Sequence, residues 1–287
     1  MFNGITPGIR YMLLSALGFA LMGACVKALV SYDIPVLEVV AGRAIVSLVL
    51  SFWVIKRKRL PVWGHNKPLL VARGAMGTFS LICVYYAIST LPLAEAAVLQ
   101  YTYPAFTAFI ALWFLKERIQ RATAICIVLS ILGLLVMVQP DLSSSAITGL
   151  PLLSVAAALV GAMGSAVAYV MVRRLSQADD ANVIIFYFPL IAFPVSAFLL
   201  GDNFVMPGPE ALVLLLLVGI FTQIGQIGLT KAMAVEKAGK AAAFAYVQVI
   251  FSAVLGWLFF TEIPTVYTLL GGGIIIAGAL INTLYKR

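Results

Sequence analysis

The chain is written as apolar runs of about 20 positions, each closed by a short cluster of charge, proline or glycine. That length is what an α-helix needs to cross the hydrocarbon core of a bilayer, about 20 residues. Taken against the punctuation, the runs predict ten helices, near residues 9–31, 36–56, 67–90, 93–115, 121–138, 149–174, 181–200, 209–235, 238–260 and 265–285. The connections at 32–35, with Asp33 and Pro35, and at 91–92, with Pro92, are very short. They favour antiparallel neighbours.

Two of the runs are alike. "YTYPAFTAFIALWFLKERI" at 101–119 pairs without gaps with "YVQVIFSAVLGWLFFTEIP" at 246–264. The identities are Tyr101 with Tyr246, Phe106 with Phe251, Ala108 with Ala253, Phe114 with Phe259, and Glu117 with Glu262. At the same offset "YYAI" at 85–88 meets "TKAM" at 230–233, and Lys27 corresponds to Arg173 within one residue. If 1–140 and 141–287 are repeats of five helices each, the odd number makes the second copy enter the membrane from the opposite side. Such inverted repeats place a substrate site between the halves near mid-membrane, and rocking one half against the other exposes it to either side.

Composition agrees with the pattern. Charged residues are 10% of the 287 and hydrophobic ones 63%, against roughly 25% and 45–50% in ordinary soluble domains. A net charge of +8 would point to nucleic acid in a soluble chain, but here its placement carries the information. With the N-terminus in the cytoplasm, the cytoplasmic segments collect Arg10; Lys56, Arg57, Lys58, Arg59 and Lys67; Lys116, Arg118 and Arg121; Arg173 and Arg174; Lys237 and Lys240; and Lys286 and Arg287. The opposite loops hold Asp33, Asp141, Asp202, Glu210 and Glu262 and no basic residue, as the positive-inside rule requires. The expectation is an all-α membrane protein of ten transmembrane helices in two inverted five-helix repeats, 1–140 and 141–287, with both termini cytoplasmic. The first helix, too long for a signal-peptide core, would serve as the insertion signal. The bilayer and a small-molecule substrate are the implied partners, and nucleic acid is not one. The oligomeric state is left open, a homo-oligomer included.

Catalytic chemistry has few parts to work with. Cys25, Cys83 and Cys126 each fall in an apolar run, without a CxxC or Cys/His cluster, and His65 is the only histidine. No cofactor, metal site, catalytic residue or enzyme activity is expected.

The pattern resembles the EamA-type branch of the drug/metabolite transporter superfamily. The likeness is carried by Pro35 with Arg43, by "YYAISTLPLAEAAVL" at 85–99, and by "YPAFTAFIALWFLKERI" at 103–119 leading to Gly133. In the second half it is carried by "RRL" at 173–175, "KAAAFAYVQVIFSAVLGWLFFTE" at 240–262 and the glycines 271–273. The resemblance covers almost the whole chain. It implies a ten-helix inner-membrane transporter with a central cavity, many of its kind exporting amino acids or related metabolites. Residues 9–31 contain no acid, whereas the small multidrug antiporters that resemble half of this fold use a glutamate in their first helix for proton exchange. The longer motifs of nucleotide-sugar carriers have no clear match.

An ionised side chain in hydrocarbon is costly and should face protein or a watery cavity. Arg43 lies about 10 Å below the outer surface at 1.5 Å per residue. It is a candidate substrate contact, with a structural pair to Glu38 and snorkelling as alternatives; Glu38 would be its partner or guard the entrance. Arg73 and Lys231 lie nearer the cytoplasmic surface, and Lys27 near the outer one, where long stems reach headgroups. If even two of these four faced the cavity, it would be electropositive and favour a carboxylate or other anion.

Gln223, Gln226 and Thr230 form one polar stripe at helical spacing, and Gln100, Tyr103 and Thr107 another. Either lines the cavity or bonds to neighbouring helices. Tyr85, Tyr101, Tyr169, Tyr246 and Gln248 complete the candidate substrate-binding set, Gln248 standing where the first repeat has Tyr103. Gly161, Ser165 and Tyr169 make a close-packing face with a polar handle, and glycines 271–273 pack within a helix. Pro104 would kink the fourth helix. Glu117 is expected as an anchor among Lys116, Arg118 and Arg121. The expected function is export of a small polar metabolite, an amino acid or a carboxylate-bearing derivative, by alternating access. A drug or organic-cation exporter and an uptake carrier or exchanger are the alternatives.

Overall fold

The computed structural model describes residues 6–91, 96, 99–144, 151–261 and 263–284, and the side chains of all of these except 30, 85, 88, 89, 138–144 and 284. The helices are α1 (Pro7–Leu29), α2 (Val36–Arg57), α3 (Lys67–Thr90), α4 (Tyr103–Phe114), α5 (Arg121–Ser144), α6 (Leu152–Leu175), α7 (Ala181–Leu200), α8 (Pro209–Val235), α9 (Ala238–Ala243), α10 (Val247–Phe260) and α11 (Val266–Leu284). A 3₁₀ turn, Phe244–Tyr246, joins α9 to α10, so that Ala238–Phe260 acts as one span. Among the described residues, eight helical spans are long and apolar enough to cross a membrane, and two apolar helices are shorter, Tyr103–Phe114 and Arg121–Met137. The protein is a multi-pass membrane protein.

The expected helix over 93–115 is shorter in the structure. Residues 92–95 and 97–98 lie outside the described set, the chain turns at Tyr101 and Thr102, and α4 starts at Tyr103. Pro104, expected to kink a continuous helix, sits instead in the first turn of α4. A proline there forgoes an N–H that has no helical partner anyway, whereas further inside a helix its ring would collide with the preceding turn.

The helices pack in pairs: α1 along α8, α3 along α6, α2 along α7 and α5 along α11. Lipid tails give helices no hydrophobic reason to associate, so close approach through small residues matters. At the crossing of α5 and α11, a Cβ on Gly133 would stand 2.6 Å from the Gly271 carbonyl oxygen. Large apolar side chains point outward instead, Trp113, Phe114 and Phe198 among them. That is the inverse of a water-soluble protein and suits a lipid surround.

The ends of the bundle differ. At the end holding the Lys/Arg-rich connections, Glu117 joins three elements. Its Oε1 accepts from Arg173 Nε at 2.9 Å and its Oε2 from the Ala238 N–H at 2.8 Å. Arg173 Nη1 also donates to the Met233 and Ala234 carbonyls, at 2.7 and 2.9 Å, occupying acceptors that the C-terminus of α8 leaves open. Glu117 is thus an anchor, but for Arg173 and α9 in the second half of the chain rather than for its sequence neighbours. Lys58 Nζ meets Asp180 at 3.1 Å, and Asp180 caps α7 by accepting from the Asn182 N–H. Partial burial works against the Asp180 charge, but Asn182 and Lys58 outweigh it and hold the carboxyl below its ordinary range. At the opposite end Tyr32 donates to Glu210 at 2.7 Å.

Candidate functional site

A cavity of about 270 Å³ lies within the bundle, lined by residues from α1, α2, α3, α6, α7, α8 and α10 and by the turn before α4. On α3 its wall is Arg73, Gly77, Ser80, Leu81 and Val84, one face of a helix at i, i+4, i+7, i+8 and i+11. At 1.5 Å per residue these lie from about 9 to about 25 Å along α3 from its basic end, which places the cavity inside the membrane thickness. A second cavity, about 510 Å³, opens between α3, α4 and α6 at the basic end. Its walls are nearly all apolar, including Leu69, Ile110, Phe114, Val170 and Met171, so it suits a lipid chain better than a polar solute.

The polar cavity is floored by tyrosines. Tyr101 stacks on Tyr246 at 6.1 Å between ring centroids, and Tyr103 meets Tyr169 edge-on at 5.2 Å. The packing that sets the walls comes from small residues. Ser80 donates to the Gly161 carbonyl at 2.6 Å and Ser165 to Ser80 at 2.6 Å, drawing α3 against α6. A Cβ on Gly77 would stand 2.9 Å from the Phe188 ring; its absence lets that ring lie against α3.

Arg43 is 8% exposed and Arg73 is 4% exposed, and both face this cavity. Arg73 Nη2 donates to Gln226 Oε1 at 3.1 Å, and Arg43 Nη1 reaches only Met22 Sδ, at 3.8 Å. Arg43 Nε, Arg73 Nε and Arg73 Nη1 are buried without a hydrogen-bond partner. Among the described residues the lining holds these two cations and no aspartate, glutamate or histidine. The expectation that Arg73 would snorkel to the headgroups is therefore corrected: α3 turns it inward, beneath Phe188 and beside Gln226. Lys27 and Lys231 are exposed, over the rings of Phe260 and Tyr11.

Of the candidate residues, Arg43, Gln100, Tyr101, Tyr103, Tyr169, Gln226 and Gln248 line the cavity. Glu38 does not sit with Arg43. Its Oε2 accepts from the Val205 N–H at 3.0 Å, tying α2 to the connection before α8. Gln223 is turned toward α2 and donates to Ser51 at 2.9 Å. Thr230 is fully buried, and Tyr246 sits behind Tyr101 rather than at the surface of the cavity. The side chain of Tyr85 lies outside the described residues. Sequence reasoning missed Phe19, Met22, Ser80 and Phe188 as lining residues. The helical period counted from Arg73 would have found Ser80; apolar Phe188 offered no signal in an apolar run.

The model of the EamA-like transporter family matches the chain twice, over residues 6–139 and 152–284. The chain belongs to the EamA-like transporter family. This EamA-like transporter, a member of the drug/metabolite transporter superfamily and not an enzyme, is 32% identical over 288 residues to the pseudopaline exporter CntI of Pseudomonas aeruginosa. That alignment covers 99% of this chain and 98% of the other. It is 28% identical over 295 residues to human solute carrier family 35 member G1, covering 97% of this chain and 80% of that one. A solved crystal structure superposes with a TM-score of 0.78 at 16% identity, over 94% of this chain and 96% of its own. At that identity the likeness speaks for the fold alone.

Proposed function

We propose that this membrane transporter exports a small polar metabolite bearing a carboxylate, an amino acid or a derivative of one, across the inner (plasma) membrane by alternating access. The observation that carries the reading is the pair of nearly buried arginines, each with N–H donors left without a partner, that line a mid-membrane cavity holding no acid among the described residues. A buried cation without a partner is expensive. An anionic substrate offsets that cost, and guanidinium–carboxylate bonds are among the stronger hydrogen bonds available.

Alternating access between 1–140 and 141–287 is supported by the pairing of helices. Exchanging the halves turns α1 against α8 into α6 against α3 and leaves α2 against α7 and α5 against α11 unchanged, so the packing is compatible with two equivalent units. Both repeats also interrupt a helix at the matched tyrosine, at Tyr101 in a turn and at Tyr246 in a 3₁₀ turn. Broken helices at a repeat interface are where transporters of this architecture bind substrate. Export, rather than uptake, is supported by the similarity to the Pseudomonas pseudopaline exporter, and cytoplasmic termini by the placement of lysine and arginine. The tyrosine floor would also suit an organic cation, but two guanidiniums in the same space oppose one.

Thermal stabilisation of the purified protein across a metabolite library, repeated with Arg43→Ala, tests the reading, because a ligand that binds only the folded state raises its melting temperature. Carboxylates should stabilise the wild type markedly more than the variant. Equal stabilisation of both by neutral or cationic compounds would make Arg43 structural and favour the drug-exporter reading.

A further inference from the structure

The two arginines are not scattered around the cavity; both approach one ring. The guanidinium carbon of Arg43, from α2, lies 5.7 Å from the centroid of Phe188, and that of Arg73, from α3, lies 5.2 Å from the same centroid. They are therefore separated by no more than those two distances laid end to end. Each brings unspent donors: Nε on Arg43, and Nε and Nη1 on Arg73. Among the described residues, the hydrogen-bond acceptors on the two groups are Gln226 Oε1 for Arg73 and the weak thioether of Met22 for Arg43.

A single carboxylate set on one guanidinium leaves the other as an unpaired buried cation beside it. Two like charges at this separation raise the cost of each other's burial, and a site with reduced dielectric screening increases that cost. Full compensation takes two negative groups. The Phe188 ring beside both guanidiniums provides an apolar surface along which a short hydrocarbon stem can lie. The side-chain amides of Gln100, Gln226 and Gln248 and the phenols of Tyr101, Tyr103 and Tyr169 also line the space. They can serve polar groups elsewhere on the same molecule.

We infer that the cavity recognises a substrate carrying two anionic groups on a short stem, one group on Arg43 and the other on Arg73, with the stem against Phe188. The inference rests on the carboxylate reading above and sharpens it from one anionic group to two. It predicts that the stem length matters, because the guanidiniums are held on separate helices at a fixed spacing.

The test uses full-length purified protein and thermal stabilisation titrations with two sets of probes. One is the matched pair glutarate and glutaramate, which differ in a single negative charge. The other is the dicarboxylate series from malonate to pimelate. Glutarate should half-saturate the shift at a concentration on the order of tenfold or more below glutaramate, in keeping with one further charge-assisted hydrogen-bonded pair. The series should show an optimum in length. Arg43→Gln and Arg73→Gln should each bring glutarate to the level of glutaramate, while Arg43→Lys and Arg73→Lys, which keep the charge, should retain a preference for the dianion. Equal response to glutarate and glutaramate, with no optimum in the series, overturns the inference and leaves the one-carboxylate reading intact. A cooperatively melting wild type that no carboxylate stabilises overturns both. If a glutamine variant does not melt cooperatively, the wild-type pair and series still decide.

Discussion

Arg173 and the pair Arg43 and Arg73 are the same residue type put to opposite uses. Arg173 spends Nε on Glu117 and Nη1 on two carbonyls at the end of α8. Arg43 and Arg73 keep buried donors unspent in a cavity without a described acid. Burial runs opposite to bonding, since the partly exposed Arg173 is the well-bonded one and the buried pair is not; the accounting of donors separates the two uses. A saturated arginine holds helices together, and an unsaturated one next to open space is available to a ligand.

The comparison can be broken most directly at the saturated end. Arg173→Met leaves Glu117 without its cation and the Met233 carbonyl without this donor, while Ala234 keeps Gln177; it should cost about 2 kcal/mol, below the range for breaking a fully buried pair. A melting temperature within a degree of wild type would remove the distinction. The unsaturated end should respond with the opposite sign. Arg43→Met removes an uncompensated cation and should stabilise the ligand-free protein by about 1 kcal/mol, while bringing the response to glutarate down to that of glutaramate. Loss of ligand-free stability would mean that Arg43 has a structural partner.

Gly77→Ala sharpens the geometry between these extremes. The added methyl meets the Phe188 ring at 2.9 Å, so the ring must shift relative to the arginines. The expected stability cost is about 1 kcal/mol, at the mild end of overpacking, with a weaker response to carboxylates. The smallest effect concerns Asp180. Asp180→Ala removes the cap of α7 and should cost about 1 kcal/mol or less. Because the folded state lowers this carboxyl's pKa, its contribution is complete above the unfolded carboxylate value. It is lost as pH falls through the lower folded value, and melting of wild type against Asp180→Ala over that acidic window should converge.

Much of the helical plan was legible because apolar runs of spanning length and charged stops report the solvent around each segment. Nine of the expected segments lie where helices are described, and the tenth, over 93–115, is represented by α4 and its preceding turn. What failed there was the effect of Pro104, which depends on whether the helix begins before or after it. In the site, Arg43, Tyr103, Tyr169 and Gln226 could be found as polar residues in apolar surroundings. Arg73 was misjudged from depth alone, since position along a helix does not say which way it faces. The Glu117–Arg173 pair joins residues 56 positions apart, and nearby Lys116, Arg118 and Arg121 were nearer rivals in sequence. Gln223 and Gln226 share a stripe but part company because α8 touches α2 on one side and the cavity on the other.

Both unsaturated arginines come from α2 and α3, whereas Tyr169, Phe188, Gln226 and Gln248 bring only neutral groups from the second half. In the proposed cycle the positive wall changes the side from which it is reached, and so works against the membrane voltage. Moving one elementary charge through the whole field is worth about 2.3 kcal/mol per 100 mV, scaled by the fraction traversed. A cytoplasm-negative potential would pull the empty carrier toward its cytoplasm-facing form, the loading form of an exporter. A dianion seated on both arginines would cancel that pull, leaving the loaded outward step nearly indifferent to voltage.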